Sequence, residues 1–156
     1  MPLTDMIDAV VTLVSSVPGI SGGAAKVYGY WNYAENEAEL KEKYVAGGII
    51  HAWIVTRESL TAEDLGPNFR RDRHKIVIHG FRSLEKHPDG EQRHQELVEA
   101  VRAVFDPQGA RHLPSNAGFI RTPVQVEDFG TAVFAGFGLC WYAKLSFEAE
   151  QERIGS

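Results

Sequence analysis

The stretch HKIVIHGFRSLEKHPDGEQRHQELVEAVRAVF, residues 74–105, sets the fold reading. An apolar strand runs from His74 to Arg82 and closes on Gly80-Phe81-Arg82. A polar linker follows, and the chain then takes up helical spacing. From about Gly90 to Phe105, Leu97, Val98, Val101, Val104 and Phe105 fall on one face of a helix. Asp89 and Gln92 have capping-box spacing, with Asp in place of the usual Ser or Thr. Asp106-Pro107 ends the helix.

Upstream, Ile49–Leu60 reads as a second strand, set to pair with the first as an antiparallel neighbour. Between them, Thr61–Arg73 reads as a loop with Gly66-Pro67 as its turn signal. A first helix is expected over Asp5–Val17, capped by Thr4 or Asp5 and stopped by Pro18-Gly19. Lys26–Tyr33 is β-prone and aromatic, and Glu35–Val45 reads as a lightly docked polar helix. Downstream, Phe119–Phe129 holds a strand interrupted or started at Pro123. The last strand is the cleanest. Leu139, Trp141, Ala143, Leu145 and Phe147 point one way, and Cys140, Tyr142, Lys144, Ser146 and Glu148 the other.

The order α-β-α-β-β-α-β-β predicts an α+β fold, with an antiparallel or mixed sheet and two main helices packed on one face. The 156 residues suggest a single domain, with mobile segments expected at 61–73, 108–118 and 130–138. Two helices cover one face of such a sheet. The strands at Ile49 and His74 are apolar on both sides, so the second face needs a cover. A neighbouring subunit would supply it through His51, Trp53, Val55, Val77, His79 and Phe81. Lys26–Tyr33 or the polar helix folding over that face is the alternative.

The formal net charge of −5 argues against a nucleic-acid-binding surface. One cysteine, Cys140, excludes an internal disulfide and fits a reducing compartment. The first residues lack the pattern of a signal peptide, and no apolar run approaches a membrane span. Nucleotide-binding, nucleophile-elbow and zinc-binding signatures are missing from the sequence. The six histidines lack metal-ligand spacing, so no catalytic residue, metal or cofactor is assigned. Cys140 reads as an inert, semi-buried thiol. Arg70, Arg71 and Arg73 could meet phosphate or an acidic partner, and a solvated loop is the competing reading. Phe134 and Phe137, set among the glycines of 130–138, suggest a loop that docks on a partner, with a folded-back hairpin tip as the alternative.

Residues 47–60, 74–105 and 140–150, with Val17-Pro18-Gly19 ending the first helix and Gly80-Phe81 closing a strand, resemble the tail terminator and tail-completion proteins of tailed phages. The resemblance spans roughly Met6 to Glu150 and rests on patterns of residues. It implies a structural protein of the virion tail, assembled in the host cytoplasm as a homo-oligomer, a hexameric ring. Such a ring would cap the tail tube protein, stop its polymerisation and offer a surface to a head-completion or connector protein. DNA would only pass through its channel. Another head–tail connector or minor tail component is the alternative, and a small metal- or ligand-binding enzyme domain is a further one.

Overall fold

The computed structural model describes residues 3–30, 37–46, 49–84, 90–105, 113, 118–134 and 138–154. The chain runs through α1 (Leu3–Ser15), β1 (Lys26–Tyr28), α2 (Glu37–Tyr44), β2 (Val45–Ala46), β3 (Ile49–Gly66), β4 (Phe69–Ser83) and α3 (Gly90–Val104). It continues through β5 (Phe119–Ile120), β6 (Gln125–Phe134) and β7 (Gly138–Ile154). This is the expected α+β order, with β2 and β5 added as two-residue strands. The sheet order is β1-β3-β4-β7-β5. The strand β2 also lies on β3, and β6 also lies on β7. Only the β1–β3 pair is parallel, so the sheet is mixed.

Both main helices pack on one sheet face. In α1, Met6, Val10 and Val14 recur at helical spacing and are buried, while Asp5 and Asp8 face solvent. The helix begins at Leu3, so Thr4 and Asp5 lie inside it, and Asp5 is the acid of its first turn. The chain leaves the helix through backbone bonds from Ser16 to Leu13 and from Val17 to Val14, and Gly19 then takes φ +94°. In α3, Gly90, His94, Val98 and Val101 are buried along one stripe. The sheet answers with Trp53, Val55, Ile76, Ile78, Ala143, Leu145, Phe147 and Ala149, forming one core with both helices. Each large apolar side chain fully buried there contributes roughly 1.5–3 kcal/mol. The capping-box residue Asp89 and the Asp106-Pro107 stop lie outside the described residues. Gln92 donates its amide forward to Glu96 at 3.2 Å.

Two expectations are corrected. Thr61–Arg73 is not a loop, because β3 and β4 continue as paired strands to a tight turn between Gly66 and Phe69. There Gly66 and Asn68 have φ of 137° and 62°, and the Gly66 N–H donates to Asp64 Oδ1 at 3.2 Å. Both arms are polar on both sides, so no hydrophobic alternation marks them in the sequence. Likewise, Gly130–Phe134 and Gly138 are strand residues of β6 and β7, with Phe134 paired to Gly138. Phe137 lies outside the described residues, as does most of 108–118. The Lys26–Tyr33 strand is three residues long, ending at Tyr28.

Candidate functional site

Among the described residues, the sheet face away from α1 and α3 carries most of the ion pairs. Alternation along β4 puts Lys75, Val77, His79 and Phe81 on this face. The ladder sets them opposite Glu148, Ser146, Lys144 and Tyr142 of β7. Two irregularities then add a carboxylate from each side. The β3 register shifts between Arg57 and Ser59, and the β6 register between Val126 and Asp128. The extra residues are Glu58 and Glu127, and both carboxylates reach the same two lysines. Lys75 Nζ lies 3.4 Å from Glu58 and 2.9 Å from Glu127, and Lys144 Nζ lies 3.4 Å and 3.3 Å from the same pair. Ser146 Oγ donates to Glu127 Oε1 at 2.8 Å. Val77, 1% exposed, belongs to the rung between those of the two lysines.

The ionisation of this cage follows from its geometry. The Lys75 hydrogen bond, and after it that of Ser146, pull the Glu127 carboxyl down to about 2. The hydrogen bonds that Lys75 and Lys144 donate to Glu127 raise both lysines. All three stay charged near neutral pH, which suits an ion-paired surface and does not suit proton transfer.

Charge continues toward the hairpin. Arg71 pairs with Glu152 at 3.3 Å, and Arg73 with Glu63 and Glu150, both at 3.3 Å. Arg121 bonds Glu150 and lies 3.6 Å from Glu148. Arg71 and Arg73 therefore spend their charge within the chain, while Arg70 is exposed on the opposite face. In the other direction the face turns aromatic. His79 Nδ1 lies 2.8 Å from the Tyr142 hydroxyl, and burial lowers the His79 pKa. Beyond them Tyr44, Ala52, Ile54, Phe81 and Cys140 form a second small core, with Tyr28 and Tyr142 against it. Tyr44 ends α2, so the polar helix covers this end, and Tyr28 adds a hydroxyl bond to the Lys43 carbonyl. Burial pushes the Cys140 thiol up to about 11, in keeping with an inert role.

The six residues expected to form one subunit interface do not share a face. Trp53 pairs with Gly80 and Val55 with Ile78, which places His51, Trp53 and Val55 on the helix-covered side. Val77, His79 and Phe81 lie on the other side. Trp53 is fully buried, and its indole N–H donates to His51 Nε2 at 3.3 Å. His51 Nδ1 lies 3.1 Å from the Ala24 carbonyl, so this nitrogen carries the proton. Trp53 also stacks on His94, which Phe129 flanks on β6. Burial, and then the neighbouring His51 and Arg82, lower His94 to about 4.

Two clefts flank the helices. One of about 640 Å³ is lined by His51, Arg82, Arg93, Glu96 and Leu97 among others. The other, about 730 Å³, lies between α1, β1 and β3 at Val11, Tyr28, Tyr30 and Arg57. Among the described residues, no group of three or more His, Cys, Asp or Glu side chains is placed to hold a metal ion, and no helix is long and apolar enough to cross a membrane.

No family model matches this chain, and no curated protein matches it. Sequence reasoning missed Glu58, Lys75, Glu127 and Lys144 as a set. Their one available signal is opposite charge on adjacent strands, and the bulges that gather them leave no periodic trace.

Proposed function

We propose that the protein is a structural subunit of the tail-terminating ring of a tailed phage, which caps the tail tube and receives the head. The observation that carries this reading is the ion-paired face of β3, β4, β7 and β6. A wall beside a DNA channel must neither bind phosphate nor expose apolar surface. Lysines and arginines already held by carboxylates neutralise few phosphates, so they displace few counterions from DNA and gain little by binding it. The cage of Glu58, Lys75, Glu127 and Lys144 meets that requirement. The stretches that carry the family resemblance contribute to β3, β4, α3 and β7, and these elements share the main core. The test is deletion of the gene in its phage or prophage, followed by electron microscopy of the particles. Filled heads and tails of uncontrolled length are expected. Normal tails joined to heads would refute the reading.

A further inference from the structure

We propose that the open edge of β3 pairs antiparallel with the same edge of a second copy, about a two-fold axis at Thr61, with Arg57 of each copy opposite Asp64 of the other. On the outer side of β3, β1 reaches only to Ile54 and β2 only to Ile50. From Val55 to Gly66 that edge has no strand partner among the described residues. Such an edge carries unpaired backbone donors and acceptors, and Lys or Pro often blunts it. Ser59–Asp64 contains neither. The contact uses one patch on both copies and closes at two, so it goes beyond the ring reading. It gives the form of the chain before assembly and covers an edge that would otherwise invite aggregation.

Alternation and the position of β1 fix the register. Residues opposite each other across a sheet share a face. A centre between Leu60 and Thr61 would oppose side chains of different faces, so the axis passes through a residue. Centred on Leu60, the pairing carries Gly66 of one copy onto Ile54 of the other, where Tyr28 of β1 is already paired. Centred on Ala62, it sets Asp64 against Leu60 and leaves Arg57 beyond the overlap. Centred on Thr61, it sets Ala62 opposite Leu60, Glu63 opposite Ser59, Asp64 opposite Arg57 and Gly66 opposite Thr56. Glu58 and Leu65 are then the extra residues of their bulges, as they are against β4. This overlap stops before Ile54, and no like charges stand opposite each other.

The side chains suit that register. Arg57, Leu60, Ala62 and Asp64 share one face, since their β4 partners are Ile76, His74, Asp72 and Arg70. All four are exposed in the single chain, Leu60 by 46%. Arg57 and Asp64 have no ion-pair partner among the described residues, and Asp64 spends one oxygen on the Gly66 amide. The pairing gives two equivalent Arg57–Asp64 contacts and brings the two Leu60 side chains into diagonal contact across the axis. Glu58 stays turned to Lys75 and Lys144 on the other face. Gly66, which has no side chain, comes to Thr56 at the rim of the cleft of about 730 Å³, where the turn finds room.

The test uses the full chain under mild oxidation; native Cys140 is buried and stays silent. Thr61→Cys meets its own copy on the axis. In Ser59→Cys the two thiols lie about 13 Å apart, at roughly 3.3 Å per residue, too far for a disulfide. Thr61→Cys is expected to give covalent dimer at least about ten-fold above Ser59→Cys, and equal linking overturns the proposal. By sedimentation without oxidation, Arg57→Asp should weaken the dimer at least about ten-fold, and adding Asp64→Arg should restore it. A double variant as weak as the single one also overturns it. Hydrogen exchange of the unsubstituted chain guards against misfolded variants: amides of 57–64 should slow as concentration rises, and unchanged exchange counts against the pairing. Rings seen by electron microscopy with no Thr61 cross-link in the free chain would sink this contact and leave the ring reading standing. The cross-link, together with normal tails in a deletion strain, would do the reverse.

Discussion

Gly80 lies directly opposite Trp53 in the β3–β4 ladder, and a Cβ placed on Gly80 would sit 2.5 Å from the indole Cζ3. The indole occupies the space a side chain would take, and it is held there by His51 and His94. Gly80→Ala should therefore cost roughly 1–3 kcal/mol, the range for overpacking a filled core. Urea unfolding followed by tryptophan fluorescence checks this: a lower midpoint at unchanged slope is expected, and an unchanged midpoint would mean the indole moves freely.

His94 gives the fold a defined acid sensitivity. Its folded value of about 4 lies below the ordinary 6.5, so the unfolded chain binds the proton first. The stability it contributes is complete above pH 6.5 and is lost as pH falls from there toward 4. His94→Phe keeps an aromatic ring between Trp53 and Phe129. It should flatten the dependence of stability on pH between 6.5 and 4, measured as urea midpoints across that range.

Glu127 acts in a lower window. Its carboxyl is pulled from 4.5 to about 2, so its contribution is present above 4.5 and fades as pH falls toward 2. Glu127→Gln should cause a small loss of stability at pH 7 that added salt diminishes, and should remove part of the slope below pH 4.5. A variant with the same salt and pH response as the parent would show that the cage is energetically silent.

Asn68 holds the tip of the long hairpin with φ 62°. Asn68→Val should cost about 1–2 kcal/mol, since a β-branched residue is strained in the left-handed region, while Asn68→Gly should be close to neutral. Thermal melts of the two variants separate backbone strain from loss of the amide.

The helices and β7 were legible because each buries one periodic face against a common core: Val98 and Val101 in α3, and Ala143, Leu145 and Phe147 in β7. The hairpin arms were not, because in Thr61–Asp64 and Arg70–Arg73 the polar residues alternate only with other polar residues or with alanine. The pairing of faces was illegible for the same reason. With the arms on either side of the Gly66-Pro67 turn signal read as loop, nothing in the sequence says that Trp53 meets Gly80 and not a neighbour one step away, and one step exchanges the faces. As a consequence, Trp53→Asp is expected to unfold the chain, a result read as loss of far-ultraviolet circular dichroism. The charge cage depends on residues far apart in sequence and on two bulges, so it becomes visible only once the register is known.

Those bulges also act as parity switches. Before Glu58 the odd-numbered residues of β3, Trp53 and Val55, face the helices. After it the even-numbered ones, Leu60 and Ala62, share their side. In β6 the change runs the other way through Glu127, from Val126 to Phe129. Deleting either glutamate would remove its bulge and leave a regular ladder, with Ser59 still opposite Lys75 and Asp128 still opposite Lys144. Each bulge is thus a place where its strand can lose one residue without changing faces. A deletion of Glu58 should keep the fold and lose the ion pairs with Lys75 and Lys144, whereas a deletion of Val55 would also take a buried side chain out of the core.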